Sequence, residues 1–281
     1  MFSKQDIADY YDQTLTHYRF WWKMDESLAV HYGIWKPATR NFSEALQNTN
    51  QIMAEMVGIK PGETLLDAGC GVGGAAFYLA SNYNCQVEGI SLSERQIALA
   101  QSHAKRLGLD HQTRFSIADY LKTPFKNQRF DKIWACESLC YANDYSNFLK
   151  EASRLLEPGG RVVLSDYFLT EKGLPDPDGY LQKWGDTWAI SRFNYAKSFQ
   201  EAVEKNGFKT ILRKDFTPQI RKSAKRLFWS YLIGALPAML YNLTHRPPSF
   251  AKTHYLSGKY QYLSLKKGQW RYEIWVLEKT D

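Results

Sequence analysis

The residues best suited to ligand chemistry form the run Leu65-Leu66-Asp67-Ala68-Gly69-Cys70-Gly71-Val72-Gly73-Gly74. Glycines at positions 69, 71 and 73 permit positive φ angles and let the backbone approach a ligand closely. Their G-x-G-x-G spacing differs from the G-x-G-x-x-G spacing of the dinucleotide fingerprint. Asp67, two residues before the first glycine, suits a cationic ligand that carries an amine and would repel a pyrophosphate. The run therefore predicts a site for a cationic, amine-bearing ligand.

A second carboxylate lies in the run Cys136-Glu137-Ser138-Leu139-Cys140-Tyr141-Ala142, directly after another predicted strand. Open α/β sheets bind their ligands at the carboxyl ends of the strands, which is where Glu137 falls. A carboxylate there could stabilise a cation or remove a proton from a substrate. Two plainer alternatives are that Glu137 caps the following loop or binds the amine of the ligand.

These residues must be positioned by strands that alternate with helices, and the sequence predicts this alternation from residue 63 onward. The predicted strands are 64–68, 86–90, 114–117, 131–135, 161–165, 208–213 and 270–277. The helices between them are 73–81, 93–107, 145–156 and 196–206. Strands that alternate with helices indicate a parallel sheet that is covered on both faces.

Further helices are predicted outside this alternation, at 3–23, 42–57, 225–243 and 249–267. The last two fill a gap between strands that is far too long for a hairpin loop. We therefore predict an α/β fold with a Rossmann-like, doubly wound, seven-stranded sheet. Its parts are an N-terminal helical cap (1–57), a core (58–214), a helical lid inserted before the last strand (215–268), and the final core strand (269–281).

From about residue 60 to residue 168 the chain resembles the class I S-adenosylmethionine-dependent methyltransferases. In that family an acidic residue that ends the second strand usually holds the ribose of the cofactor. Ser91 occupies that position here, with Gln96 five residues later, which is similar to the sterol, tocopherol, prenyl-diphosphate and cyclopropane fatty-acid branch. The resemblance implies S-adenosyl-L-methionine as cofactor, S-adenosyl-L-homocysteine as its product, and binding by Asp67, Gly69, Cys70, Gly71, Gly73, Ser91, Leu92, Gln96, Asp119, Tyr120 and Glu137.

Asp119 and Tyr120 follow the third predicted strand. By resemblance, Asp119 accepts a hydrogen bond from the adenine amino group and Tyr120 lies against the ring. The alternative role of Asp119 is to cap a turn, which Asp residues readily do.

The resemblance also identifies candidate residues for the methyl acceptor. The string that starts at Glu137 is similar to the E-[SA]-x-C-[HY]-A stretch of sterol and prenyl-diphosphate C-methyltransferases, so Glu137 is the expected catalytic residue. A segment near the N-terminus closes over the cofactor in related enzymes, and here it contains His31 and Tyr32. These two side chains could orient an acceptor or stack on a cation. The alternative is an aromatic segment that packs on the edge of the sheet.

The predicted helix around residues 226–240 is apolar almost all round. Its uninterrupted apolar run is shorter than a membrane span of about 20 residues, and Pro237 interrupts it. Basic residues flank it at both ends, so residues 222–246 could contact an anionic membrane surface. It could equally be a lid over an apolar acceptor pocket or a buried helix on the sheet edge. All three favour a hydrophobic small-molecule acceptor.

The net charge and the cysteine content restrict the classes of partner and the cellular compartment that we expect. The net charge of +7 is compatible with nucleic acid, but no basic arm or aromatic RNA-binding signature is present, so we predict no nucleic-acid partner. None of the four cysteines forms a C-x-x-C pair, and the first residues lack an apolar signal core, so a cytoplasmic location is expected. No acidic cluster requires a metal, and Mg²⁺ is expected only if the acceptor is a diphosphate. The oligomeric state is left open.

The leading functional hypothesis is C-methylation of an isoprenoid- or sterol-type lipid, with Glu137 and aromatic rings stabilising a carbocation. One alternative is O- or N-methylation of a fatty acid, an aromatic metabolite or an amine. An alternative from another class is a protein that binds the cofactor, or a membrane surface, without catalysis.

Overall fold

The computed structural model describes residues 1–280, and its centre is a twisted sheet. The strands are β1 (Thr64–Ala68), β2 (Gln86–Ser91), β3 (Thr113–Ile117), β4 (Phe130–Cys136), β5 (Leu156–Leu169), β6 (Asn194–Tyr195), β7 (Phe208–Asp215) and β8 (Trp270–Lys279). They are ordered β3-β2-β1-β4-β5-β8-β7, and the two-residue β6 pairs with the end of β5. β1 to β5 are parallel to one another, whereas β8 runs antiparallel to both β5 and β7.

Helices cover both faces of the sheet. They are α1 (Lys4–Trp21), α2 (Met24–Ser27), α3 (Phe42–Val57), α4 (Gly74–Tyr83), α5 (Glu94–Leu107), α6 (Tyr145–Leu155), α7 (Tyr180–Trp188), α8 (Ala196–Lys205), α9 (Thr217–His245), α10 (Ser249–Thr253) and α11 (Ser257–Lys266). Two 3-10 turns occupy Leu139–Tyr141 and His254–Leu256. Helices α9 to α11 lie between β7 and β8, as predicted for a helical insertion before the last strand.

The predicted Rossmann-like α/β class is confirmed, and all seven predicted strands are present. The predicted helix 249–267 is wrong as a single helix, because the 3-10 turn His254–Leu256 divides it. The predicted helix 145–156 ends one residue earlier, at Leu155, because the chain must become extended before Pro158. The sequence did not reveal α2, α7 or β6, which are short and lack a long periodic pattern. The division into cap, core and lid units stays a prediction.

Alternation along the strands divides the core into two apolar clusters, one on each face of the sheet. Leu65 of β1 and Trp134 of β4 belong to the cluster under α1, α3 and α4. Their neighbours Leu66 and Ile133 belong to the cluster under α6 and α8. Successive side chains of a strand point to opposite faces, so a strand that is apolar throughout must be covered twice.

Helix α9 is buried at its N-terminal end and exposed beyond it. Ile220, Ser223, Ala224 and Leu227 are buried, whereas most of the large apolar side chains from Trp229 onward are exposed. A buried helix on the sheet edge, one of the three alternatives, is therefore wrong for residues 229–243. Across residues 1–280, no helix is both long enough and apolar enough to span a bilayer.

Trp275 in β8 offers a test of this packing. Its ring is fully buried, and its ring centroid lies 5.5 Å from that of Phe168 and 5.2 Å from that of Phe199. The Arg213 guanidinium carbon lies over the same ring, 4.4 Å from its centroid. We expect Trp275→Ala to lower the free energy of unfolding by about 3–5 kcal/mol in urea titrations, because the substitution leaves a cavity. The control Trp229→Ala, at an exposed site in α9, should change it by less than about 0.5 kcal/mol. Equal effects of the two substitutions would contradict the assigned packing.

Candidate active site

A cavity opens at the carboxyl ends of β1, β2 and β4. Its wall also includes side chains of α1 and, from a helix that the sequence did not reveal, Trp188. Gly73, Asp119 and Tyr32 do not line the cavity. The other predicted site residues do, namely His31, Asp67, Gly69, Cys70, Gly71, Ser91, Leu92, Gln96, Tyr120 and Glu137.

The glycine-rich turn is packed too closely to accept side chains at two positions. Gly69 has a φ of 96°, and a Cβ atom on it would lie 2.5 Å from the Cβ of Ser138. A Cβ atom on Gly74 would lie 2.0 Å from the carbonyl oxygen of Leu28. These approaches bring the loop after β4 and the N-terminal segment onto the turn, where all three meet around the cavity.

Asp67 ends β1 as a buried carboxylate with an unused acceptor. Its side chain is 2% exposed, and Oδ2 accepts no hydrogen bond from the described residues. Burial raises the pKa of Asp67 to about 7. An unpartnered buried carboxylate that faces a cavity fits a cationic ligand, because a bound ammonium group would supply the missing partner.

Ser91 and Gln96 form a pair at the end of β2. The Ser91 hydroxyl donates to Gln96 Oε1 at 2.8 Å, which fixes the orientation of the amide. Ser93 caps α5 by accepting from the Gln96 backbone N–H, so the helix start holds Gln96 in place. The Gln96 amide is thereby oriented with its Nε2 donors left over, which suits the ribose-binding role that the resemblance implies.

Asp119 has partners within the chain. Its Oδ1 accepts from the backbone N–H of Leu121 at 2.9 Å, and its Oδ2 lies 2.5 Å from Lys4 Nζ. The capping alternative from the sequence is thus present in the structure, and adenine binding by Asp119 stays a prediction. Tyr120 lines the cavity and donates its hydroxyl proton to the Ser138 carbonyl at 2.8 Å.

Glu137 follows β4 and lines the cavity, on a backbone with a φ of 51°. Such a conformation is costly for a residue with a side chain and commonly occurs at functional sites. Its Oε1 accepts from the Tyr32 backbone N–H at 2.6 Å and from the Tyr272 hydroxyl at 2.8 Å, and Oε2 accepts from the Tyr167 hydroxyl. Desolvation raises the pKa of Glu137 to about 8, although the Tyr167 hydrogen bond in particular favours the charged form.

His31 offers a second candidate base in the same cavity. Its Nδ1 lies 3.0 Å from the Tyr32 carbonyl, which fixes the ring, and its buried Nε2 has no hydrogen-bond partner among residues 1–280. Burial lowers the pKa of His31, so the imidazole is neutral at pH 7 and can accept a proton.

Sequence reasoning missed the tyrosines that hold Glu137. Tyr167 and Tyr272 are directly opposed in the antiparallel pair of β5 and β8, so neither is recognisable without that pairing. It also missed Asp166, whose carboxylate accepts from the backbone N–H groups of Cys140 and Tyr167 at 2.8 Å. Asp166 thereby holds the loop that carries Glu137. Its one signal in the sequence is its place near the carboxyl end of the fifth strand.

Two further features complete the geometry. No Lys or Arg side chain lines the cavity as far as the structure describes the chain. The described residues also hold no group of three or more His, Cys, Asp or Glu side chains arranged to bind a metal ion. The cavity wall is therefore largely apolar, with carboxyl groups and, within residues 1–280, no Lys or Arg side chain.

Comparison with known families shows which family the chain belongs to. The family described as "Mycolic acid cyclopropane synthetase" matches residues 2–216, about three quarters of the chain. The chain belongs to this family. The match extends well beyond the 60–168 segment on which the resemblance rests, and it confirms the predicted branch of the class I methyltransferases.

The similar proteins include methyltransferases of several kinds. The 27-O-demethylrifamycin SV methyltransferase of Amycolatopsis mediterranei (strain S699) is 35% identical over 150 residues, 53% of this chain and 54% of that protein. Sterol 24-C-methyltransferase ERG6 of Saccharomyces cerevisiae (strain ATCC 204508 / S288c) is 26% identical over 256 residues, 89% of this chain and 64% of that protein. The matched segments thus span between about half and two thirds of these relatives' own length.

Among solved structures, the mycolic acid cyclopropane synthase CmaA1 complexed with SAH and CTAB aligns with a TM-score of 0.84. The alignment covers 98% of both chains at 19% identity, so it shows a shared fold. Family membership makes this chain an S-adenosylmethionine-dependent methyltransferase. The unpartnered Asp67 carboxylate, the close-packed glycine turn and the oriented Gln96 amide fit that cofactor.

Asp67 gives a direct test of cofactor binding. We expect Asp67→Asn to weaken the affinity for S-adenosyl-L-homocysteine by about tenfold or more in calorimetry, because a charge-assisted hydrogen bond to the ammonium group is lost. In the wild type, the affinity should fall as the pH is lowered through about 7, where the carboxylate takes up a proton. The variant should lack this dependence. Asp110→Asn, at an exposed carboxylate, serves as the control.

The same substitution should have an opposite effect on the ligand-free fold. The pKa of Asp67 in the folded chain lies above its ordinary value of 3.8, so folding favours the protonated form. The free energy of unfolding should therefore decrease as the pH rises from about 4 to 7. Asn carries no such penalty, and Asp67→Asn should raise the melting temperature at pH 8. A lower melting temperature together with unchanged cofactor affinity would contradict the assigned role.

Proposed function

We propose that this methyltransferase adds a methyl group to an alkene carbon of an isoprenoid- or sterol-type lipid. The observation that carries the proposal is the buried Glu137 carboxylate, held by Tyr167 and Tyr272 in a cavity that aromatic side chains line. Carboxylates and aromatic faces are the groups that stabilise a cation away from water. The crystallised CmaA1 complex holds CTAB, an amphiphile, which supports a hydrophobic acceptor for this fold.

The chain's own residues would act on the acceptor as follows. The bound cofactor supplies an electrophilic methyl group, and the cavity holds the alkene against it with water excluded. The alkene π electrons would form the new carbon–carbon bond to the supplied methyl group, the electron pair of the broken carbon–sulfur bond would leave with S-adenosyl-L-homocysteine, and the adjacent acceptor carbon would become cationic. The rings of Tyr11, Tyr18 and Trp188 line the cavity in which this charge would develop. Glu137 then removes a proton from a neighbouring carbon, and the double bond re-forms.

A second candidate, O-methylation, is favoured by the unpartnered Nε2 of His31. A neutral imidazole at the cavity wall could accept the proton of an acceptor hydroxyl during transfer. Named relatives include both a sterol C-methyltransferase and a rifamycin O-methyltransferase, so family membership is compatible with either chemistry. Mg²⁺ enters either reaction only if the acceptor carries a diphosphate.

A panel of acceptors with methyl-labelled cofactor tests the proposal. It should include sterols and prenyl chains with a trisubstituted alkene, matched saturated analogues, and hydroxylated polyketide or terpenoid compounds. We expect label on carbon from the alkenes and none from the saturated analogues. Label on oxygen alone, with no alkene product, would replace C-methylation by the second candidate, and turnover of polar amines alone would exclude both.

The dependence of rate on pH distinguishes the two bases. If Glu137 removes the proton, kcat/KM should rise with pH to a plateau above about 8, because the ionised form is the active one. Since burial lowers the pKa of His31, a reaction that uses His31 should already be pH-independent at pH 7. Glu137→Gln should reduce kcat by about 10²–10⁴-fold and remove the rise toward pH 8.

Tyr167→Phe provides a finer test of the same site. Loss of this donor removes a hydrogen bond that stabilises the ionised form of Glu137, so the plateau should shift to higher pH. Glu171→Gln, an exposed carboxylate, should leave both the rate and the pH profile unchanged. A wild-type rate in Glu137→Gln would exclude Glu137 as the base.

A further inference from the structure

The second half of α9 presents large apolar side chains to solvent along one face. They recur at helical spacings of three and four residues, and their exposed fractions range from 46% to 78%; they are Trp229, Leu232, Ile233, Leu236, Met239, Leu240 and Leu243. Isolated exposed apolar residues are ordinary, but a continuous row on one helix marks an interaction surface.

The end of α1 packs against α9. A Cβ atom on Gly234 would lie 3.1 Å from the Trp21 ring, so α1 and α9 are in contact there. Arg226 Nη2 donates to the Trp21 carbonyl at 3.0 Å and fixes the crossing. We refer to the seven exposed side chains of α9 as the apolar face.

The segment that carries the apolar face has an unusual charge distribution. Residues 216–272 contain ten Lys and Arg residues and no Asp or Glu. The rest of the chain contains 26 basic and 29 acidic residues, so the whole net positive charge of the protein arises from this segment. Basic residues precede the exposed row at Arg221, Lys222 and Lys225, and others follow it at Arg246 and Lys252.

We propose that the apolar face docks onto the surface of an anionic lipid bilayer. A helix with an apolar face and flanking basic residues lies in the interface, with its side chains in the acyl region and its cations near the headgroups. The charge distribution favours this occupant over a second copy of the chain, because pairing two such segments would bring twenty positive charges together. An aromatic residue such as Trp229 suits the headgroup region of a bilayer.

The apolar face is structurally connected to the cavity wall. Helix α1 carries Tyr11 and Tyr18 into the cavity and ends against α9, which bears the apolar face. At the buried end of α9, the Ser223 hydroxyl donates to the Gly33 carbonyl at 2.7 Å, next to the segment that contains His31. Docking would therefore place the cavity close to the lipid phase. The docking itself is independent of the proposed acceptor.

Sedimentation with lipid vesicles tests this inference on the full-length protein. We expect the wild type to bind vesicles that contain phosphatidylglycerol, to bind pure phosphatidylcholine weakly, and to be released by high salt. Combined Ile233→Glu and Leu236→Glu should reduce binding to the anionic vesicles by at least about a hundredfold, since each buried Leu or Ile side chain contributes about tenfold or more. Lys225→Gln and Lys252→Gln should each reduce it by about fivefold.

Matched controls lie in α5, outside the apolar face. Leu107→Glu and Lys105→Gln alter exposed side chains of the same types and should leave vesicle binding unchanged. All variants should keep the wild-type affinity for S-adenosyl-L-homocysteine, which separates a docking defect from misfolding or loss of the methyltransferase site.

Three results would overturn the proposal. One is a wild type that binds no vesicles, and another is equal binding to neutral and anionic vesicles. The third is a dimer in light scattering that Ile233→Glu with Leu236→Glu dissociates, which would show that a second copy covers the apolar face. Failure of the acceptor panel with intact vesicle binding would reject the acceptor proposal alone.

Discussion

The site depends on keeping the Glu137 carboxylate away from water and from any cation of the protein. The described residues place no Lys or Arg in the cavity wall, and the hydrogen bonds to this carboxylate come from a backbone N–H and two phenols. Those donors belong to the N-terminal segment, β5 and β8, which are far apart in sequence. The fold must therefore bring three distant segments together before Glu137 has its environment, and the left-handed backbone of Glu137 is tolerated for the same reason.

Buried carboxyl groups give the site its electrostatic character: Asp67 and Glu137 line the cavity, and Asp166 holds the loop that carries Glu137. Burial raises the pKa values of Asp67, Glu137 and Asp166 to about 7, 8 and 7 respectively. Burying these carboxyl groups away from water lowers the stability of the ligand-free fold. The same burial strengthens their attraction for a cation in the cavity, because water does not screen the charges there. Binding of a cationic cofactor and the proposed stabilisation of a developing cation would thus both follow from one arrangement.

The net positive charge of the protein lies away from the cavity. The cavity wall holds carboxyl groups and no Lys or Arg side chain from the described part of the chain, whereas the insertion between β7 and β8 carries all of the net positive charge. Tyr32 links the two regions, since its backbone N–H binds Glu137 and its hydroxyl donates to Gln261 in α11 at 2.6 Å. Tyr32 thus joins the insertion to the Glu137 carboxylate through two hydrogen bonds.

The sequence by itself determined the features that depend on local chain geometry. The alternation of strands and helices and the Asp67–Gly73 turn are local patterns, and Ser91 with Gln96 lies within one strand–helix unit, so their spacing along the chain was sufficient. Only the tertiary structure decided the pairing of Tyr167 with Tyr272, the entry of Trp188 into the cavity and the exposure of α9 beyond Leu227. These features depend on contacts between residues that are far apart in the chain, and periodicity along a sequence carries no information about which distant surface will cover a given face.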